Sequence, residues 1–130
     1  MKTILVDAIN TFVINGQGID QEIFDLLEAF PNRKIVLTNA SKEHLEYEDF
    51  SRVPYEIFTL QNNPSKSSPD YYLKMFKYFG LKSQEVIYFE HNPDAIKSSE
   101  SVGIKTHYFD PEKRDVTSLD RFLRSELLNT

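Results

Sequence analysis

The sequence predicts an α/β fold: a Rossmann-like three-layer α/β/α domain with a mostly parallel five-stranded sheet. The first observation is that short, β-branched apolar runs alternate along the chain with longer amphipathic stretches. Strands separated by helices are joined by right-handed crossovers and form a parallel sheet covered on both faces. The second is the length of 130 residues, which suits one domain and can bury a sizeable core without a disulfide. We therefore expect residues 1–130 to form a single domain.

The first strand and the first helix have clear sequence signals. The strand is Thr3–Asp7, because it is short, β-branched and followed by a turn. The helix lies within 18–34, with Asp20 at its start and Pro31 at its end. Apolar residues recur in it at helical spacing: Ile23, Leu26, Leu27 and Phe30.

The middle of the chain predicts two more strands and two helices. The strands are Lys34–Asn39 and Tyr55–Leu60, with a short helix in 41–50 between them. A polar loop then leads to a helix that begins near Pro69 and ends before Gly80. We place on its apolar face Tyr72, Met75, Phe76 and Phe79, and off that face Tyr71 and Tyr78.

The last third of the chain repeats the alternation. A fourth strand is predicted at Glu85–Glu90 and a helix at 92–103, opened by an Asn-Pro pair and closed by a glycine. A fifth strand follows at 104–110. The final helix is predicted at 115–129, where "TSLD" offers a capping box.

Polar residues stand where several predicted strands end. Ligand and catalytic sites in parallel sheets form beyond the carboxyl ends of the strands. That rule selects Asp7 and Ile9 after the first strand, Thr38 and Asn39 after the second, Glu90 and His91 after the fourth, and Lys66 in the polar loop.

These residue types suit phosphoryl transfer. A carboxylate such as Asp7 can act as a nucleophile, and Lys66 offers a point charge to phosphate oxygens. A threonine hydroxyl and free backbone N–H groups hold the same oxygens, while an acid holds Mg²⁺. Taken singly, Thr38 also suits a helix cap and Lys66 a solvated loop. Asp7 is harder to explain that way, because a buried acid in a strand needs partners.

The joint pattern resembles the haloacid-dehalogenase (HAD) superfamily of aspartate-nucleophile hydrolases, over Lys2 to Phe109. The segments that carry the resemblance are "DAINT", "IVLTN", "SKSSPDYYLKMF" and "VIYFEHNPDAIKSSESVG". The motifs look most similar to the pyrimidine-nucleotidase-like branch. The resemblance implies Asp7 and Lys66 as catalytic residues, Thr38, Asn39 and Lys66 as phosphate-binding residues, and Asp7, Ile9, Glu90 and His91 as the Mg²⁺ ligand positions.

Two positions depart from the family pattern. The general acid/base position of the first motif is Ile9, which cannot move a proton. The second acid of the fourth motif is replaced by His91, a poor ligand for a hard cation that prefers oxygen. Loss of acid/base assistance typically costs about 10²–10⁴-fold in rate. The sequence therefore predicts a degenerate phosphohydrolase site, weak or inactive, with a weakened Mg²⁺ site.

The spacing of the motifs leaves no room for a cap domain. Neither the segment between Thr11 and Lys34 nor that between Thr38 and Lys66 is long enough to form one. The most that covers the site is a flap, "TFVINGQGI". An open site of this kind suits a large partner, and it argues against dehalogenation of a small acid.

Three functions stay open on the sequence: a binding or regulatory domain with a degenerate site, an active Mg²⁺-dependent phosphatase or nucleotidase that forms an aspartyl-phosphate on Asp7, and a structural or assembly subunit. The partner is expected to be a phosphorylated small molecule or a protein. A net charge of −5 without a basic cluster argues against nucleic acid, and no apolar stretch is long enough for a membrane span. The absence of cysteine and of a signal peptide favours a cytoplasmic location.

Overall fold

The computed structural model describes residues 1–45 and 48–128, which form seven strands and six helices. The strands are β1 (Thr3–Asp7), β2 (Val13–Ile14), β3 (Gly18–Ile19), β4 (Lys34–Thr38), β5 (Glu56–Thr59), β6 (Val86–Glu90) and β7 (Lys105–Tyr108). The helices are α1 (Gln21–Glu28), α2 (Lys42–Leu45), α3 (Glu48–Ser51), α4 (Pro69–Phe79), α5 (Pro93–Ser101) and α6 (Val116–Leu128), with a 3₁₀ turn at Ser83–Glu85.

Five strands form one parallel sheet in the order β5-β4-β1-β6-β7, which confirms the predicted sheet. The chain leaves β1 toward β4 on one side and leaves β6 toward β7 on the other. The strand order therefore reverses between β1 and β6, and a crevice opens beyond their carboxyl ends. The two residues that end these strands are Asp7 and Glu90.

Helices cover both faces of the sheet, because side chains alternate along β1. Ile4 and Val6 pack into a core with α1 and α6, which contribute Ile23, Leu27, Leu119 and Leu123. Leu5 points to the other face and packs with Tyr72 and Met75 of α4. Helix α5 lies beside α4 on that face. The two cores hold the central strands rigidly, so the residues at their ends have fixed positions.

Most described residues of the short helix predicted at 41–50 are helical, in α2 and α3, while residues 46 and 47 lie outside the described part of the chain, as does residue 129 of the last predicted helix. The structure corrects two local expectations. The flap contains a small antiparallel hairpin, β2–β3, which the sequence pattern did not predict.

None of the described helices is long and apolar enough to cross a membrane.

The second correction concerns Tyr71, which was expected off the apolar face of α4. Its side chain is fully buried, whereas Tyr78 is 73% exposed as expected. The reason is that the first turn of α4 lies against the ends of β4 and β5. There the Tyr71 hydroxyl lies 3.0 Å from the carbonyl oxygens of both Thr38 and Phe58.

Candidate active site

Asp7 ends β1 and is only 1% exposed, with both carboxylate oxygens accepting hydrogen bonds. Lys66 Nζ donates to Oδ1 at 2.5 Å. The Thr11 hydroxyl donates to Oδ2 at 2.7 Å, and His91 Nδ1 lies 2.5 Å from the same oxygen. Thr11 reaches back to Asp7 because the chain turns at Asn10, whose φ of 70° is one that asparagine tolerates.

Glu90 ends β6 and is fully buried beside Asp7. Lys66 Nζ joins the two acids, since it also lies 2.8 Å from Glu90 Oε1. The Tyr88 hydroxyl donates to the same oxygen. Oε2 accepts the backbone N–H groups of His91 at 2.9 Å and Asn92 at 3.0 Å. Asp7, Lys66, Glu90 and His91 thus form one charged cluster at the point where the strand order reverses.

The members of the charged cluster shift one another's pKa values. Burial opposes the charge on Lys66, but Asp7 and Glu90 outweigh it and raise the lysine pKa. Burial also opposes ionisation of Glu90, yet Lys66 and the His91 hydrogen bonds hold its pKa well below the usual range. Hydrogen bonds to Asp7 and Glu90 raise the pKa of His91 to about 9. Near neutral pH, Lys66 and His91 are therefore cations.

Asp7 differs from Glu90 in the balance of these effects. Burial raises its pKa above the ordinary value, against the opposing charge of Lys66, and the neighbouring Glu90 adds to the increase. The carboxyl group is thus less readily ionised than a solvated aspartate. Burial thus offsets part of the stabilisation that Lys66 and the His91 hydrogen bond give to the ionised carboxylate.

Asn39, which follows β4, joins the end of that strand to the loop that carries Lys66. Its side-chain oxygen accepts the Lys66 backbone N–H at 2.9 Å, which fixes the loop that carries the lysine. The Tyr72 hydroxyl donates to the Lys66 carbonyl at 2.9 Å from the other side. Thr38 is buried, and its hydroxyl oxygen accepts the Ala40 N–H at 3.1 Å.

All the predicted site residues line one open pocket of about 300 Å³. The members predicted from the sequence are Asp7, Ile9, Thr38, Asn39, Lys66, Glu90 and His91. Asp7, Glu90 and His91 each place one potential ligand atom within 4.8 Å of the others, so they form a group that could hold a metal ion. Ile9 lines the pocket with a side chain that has no ligand atom.

Three buried tyrosines support the site and were not predicted to do so. Tyr71 holds the end of β4, Tyr72 holds the Lys66 loop, and Tyr88 contacts Glu90. The spacing of these tyrosines along the sequence is that of ordinary core residues. The sequence signal was the residue type, because a buried tyrosine hydroxyl needs a hydrogen-bond partner, whereas a phenylalanine ring does not.

No protein-family model matches the sequence, and no curated protein matches it. Solved structures do match. A predicted HAD-like family hydrolase from Porphyromonas gingivalis has a TM-score of 0.68 at 19% identity, covering 83% of this chain. The core domain of a candidate phosphoglycolate phosphatase from Streptococcus pneumoniae has a TM-score of 0.62 at 14% identity, covering 95%. A HAD-superfamily hydrolase from Geobacter sulfurreducens has a TM-score of 0.53 at 18% identity, covering 68%.

These likenesses show the fold: a HAD-like α/β domain in which no cap is evident among the described residues. The chain spans 59% of the P. gingivalis protein and 45% of the G. sulfurreducens protein, but 96% of the S. pneumoniae core domain. The similarity to the pyrimidine-nucleotidase-like branch stays a prediction.

Proposed function

Because the chain has the fold of the HAD-like hydrolases, we propose that it is a phosphate-binding HAD-fold domain that hydrolyses its ligand weakly or not at all and acts in binding or regulation. The observation that carries the proposal is the state of Asp7. Its oxygens are engaged by Lys66, Thr11 and His91, and its side chain is almost fully buried. Each accepted hydrogen bond withdraws electron density from the oxygen that would attack phosphorus.

The side chain that would transfer protons during hydrolysis is also missing from its usual position. In the HAD pattern, a carboxylate two residues after the nucleophile protonates the leaving group, and here that residue is Ile9. Without this assistance a rate lower by about 10²–10⁴-fold is expected. The two effects act on different atoms of the same transfer step, the attacking oxygen and the leaving-group oxygen, so they reinforce each other.

Mg²⁺ fits the charged cluster poorly. This ion prefers octahedral oxygen ligands, but the third donor beside Asp7 and Glu90 is the His91 nitrogen. His91 Nδ1 also lies 2.5 Å from Asp7 Oδ2 and 3.3 Å from Glu90 Oε2, between the oxygens that would face an ion. A metal that accepts nitrogen, such as Zn²⁺, suits the donor set better. We therefore assign no step to Mg²⁺.

The proposed ligand is a phosphate group on a small molecule or a protein. Lys66 and His91 bring positive charge to the pocket, and Thr38 and Asn39 bring polar groups from the end of β4. The amino end of α5, opened by Asn92, lies at the same pocket, and helix amino ends favour anions. Because no cap is evident among residues 1–45 and 48–128, the open pocket can admit a phosphorylated side chain as well as a small ester.

The test combines binding and turnover. Inorganic phosphate and orthovanadate are titrated by calorimetry with EDTA present, and a panel of phosphate esters is incubated with Mg²⁺ or Mn²⁺. We expect anion binding that is lost in Lys66→Met and kept in Lys74→Met, an exposed lysine of α4. Turnover that disappears in Asp7→Asn would overturn the assignment of a degenerate site, and absence of any anion binding would overturn the phosphate site.

A second candidate is an unusual hydrolase in which His91 relays protons. The observation that favours it is that His91 contacts Asp7 and keeps 22% of its side chain exposed toward the pocket. This candidate predicts ester turnover that is lost in both Asp7→Asn and His91→Gln. The structural or assembly role stays a prediction.

A further inference from the structure

A single arginine outside the pocket holds the loop that follows Asp7. Arg114 lies between β7 and α6, with a φ of 47° that is uncommon for a residue with a side chain. Its guanidinium donates to the carbonyl oxygens of Asn10 at 2.9 Å and Thr11 at 2.5 Å. It also donates twice to Asp20 Oδ2, at 2.7 and 3.1 Å.

The partner of Arg114 is itself fixed. Asp20 caps α1, since its other oxygen, Oδ1, accepts the Ile23 N–H at 3.1 Å. The backbone N–H of Asp20 donates to the Phe12 carbonyl at 2.8 Å. The guanidinium is therefore held by the rigid first turn of a helix and can impose a position on Asn10 and Thr11.

The same guanidinium contacts the other side of the site. It lies 5.1 Å from the centre of the Phe109 ring, a distance typical of a cation–π contact. The Phe109 backbone N–H donates to the Glu90 carbonyl at 2.9 Å. Arg114 thus links the loop after β1 with the segment that is hydrogen-bonded to the end of β6.

We infer that Arg114 is a positioning residue for the charged cluster, acting through Thr11 on the Asp7 carboxylate. Arg114 binds the Thr11 carbonyl, and the Thr11 hydroxyl binds Asp7 Oδ2. Within the loop, the Thr11 N–H donates to the Ala8 carbonyl at 3.1 Å, which holds the turn itself. Arg114 adds a contact from outside the loop and ties Thr11 to the first turn of α1 through Asp20.

The test uses the free protein and therefore does not depend on the proposed function. Arg114→Ala is compared with Arg124→Ala, a matched control. Arg124 also pairs with an acid, Asp120, and lies 5.7 Å from a phenylalanine ring, but it is not among the contacts of the site. We expect the NMR signals of the Thr11 methyl group and the His91 ring to shift in Arg114→Ala only. Added guanidinium ion should restore them.

Two milder variants keep the inference open to refutation if Arg114→Ala does not fold. Arg114→Lys retains the charge but loses the planar fork, and Asp20→Asn retains the cap oxygen but loses the ion pair. Both should shift the same signals. Unchanged Thr11 and His91 signals in a folded Arg114 variant would overturn the inference.

A second measurement, of phosphate binding, rests on the proposed function and extends it to Arg114. Inorganic phosphate should bind several-fold more weakly to Arg114→Lys than to the wild-type protein and Arg124→Ala. Failure of the wild-type protein to bind phosphate would refute the proposed ligand, while the NMR comparison would still decide the role of Arg114.

Discussion

At the scale of single residues, the charged cluster balances itself without an added ion. Two buried carboxyl groups face one lysine and one histidine, and Lys66 contacts both acids. In a site of low dielectric, an unpaired charge is costly, so each member depends on the others. Substituting one member therefore changes the protonation of the rest.

His91 makes the stability of the protein depend on pH. Its pKa in the folded protein is about 9, above the value of 6.5 for a free histidine. Its contribution to the free energy of unfolding is therefore complete below pH 6.5 and is lost as the pH rises through 9. We expect a fall of at most about 3 kcal/mol in urea denaturation between those pH values. His91→Gln should remove this fall, and a wild-type stability that is flat across the range would contradict the assignment.

His91→Asp should make the protein respond to Mg²⁺. The change replaces a nitrogen donor by the oxygen that this ion prefers, and it removes a cation from between Asp7 and Glu90. We expect Mg²⁺ to raise the melting temperature of the variant and to leave that of the wild-type protein unchanged. His44→Asp is the control, because His44 lines the same pocket but does not belong to the charged cluster. Equal responses of the wild-type protein and His91→Asp would contradict the poor fit of Mg²⁺.

The sequence predicted which of these residues meet, because the carboxyl ends of parallel strands share one edge of a sheet. Asp7, Thr38 and Glu90 follow that rule directly. It could not predict Arg114, since the partners of its guanidinium include main-chain carbonyls about a hundred positions earlier in the chain. Contacts to carbonyl groups leave no pattern in the types of the residues that supply them.

At the scale of elements, helix α4 is joined to the sheet by a hydroxyl group as well as by apolar packing. Tyr71 accepts the Thr38 N–H at 3.1 Å and reaches the carbonyl groups at the ends of β4 and β5. The hydroxyl therefore fixes the distance between the helix and the strand ends that line the pocket.

Tyr71→Phe should destabilise the protein by about 1–3 kcal/mol, because it leaves buried backbone groups without their partner. Tyr78→Phe on the same helix is the control, since its ring is exposed. Chemical denaturation measures both. Equal stabilities of the two variants would show that water or a shift of the backbone replaces the hydroxyl.

The elements themselves were predictable to different degrees. Strands β1, β4 and β6 were clear because each is largely a run of apolar residues, whereas the polar strand β7 was predicted from the alternation of strands and helices. The β2–β3 hairpin was not, because a strand of two residues is too short to show alternation. The burial of Tyr71 was missed because helical periodicity locates the face toward the sheet and says nothing of a neighbour at the end of the helix.

At the scale of the whole molecule, stability is concentrated at the centre of the sheet. Strands β1 and β6 are buried along their entire length, and each has a paired strand on both sides. Strand β7 lies at an edge and is largely accessible.

Hydrogen exchange should follow this gradient. The amides of β1 and β6 are expected to exchange only on global unfolding, while those of β7 exchange through local opening. Mass spectrometry of peptides from the three strands measures the difference. Equal protection in β7 and β1 would show that the whole domain opens as one unit.

The link between Asp7 and His91 has a consequence for how the protein is made. These two residues are 84 positions apart in the chain, so during synthesis the acid exists long before its imidazole partner. Until the segment after β6 is complete, the Asp7 carboxylate lacks His91, one of its two cationic neighbours. The chain up to that point also lacks β6, which pairs with β1, so β1 becomes fully buried only after β6 has been synthesised.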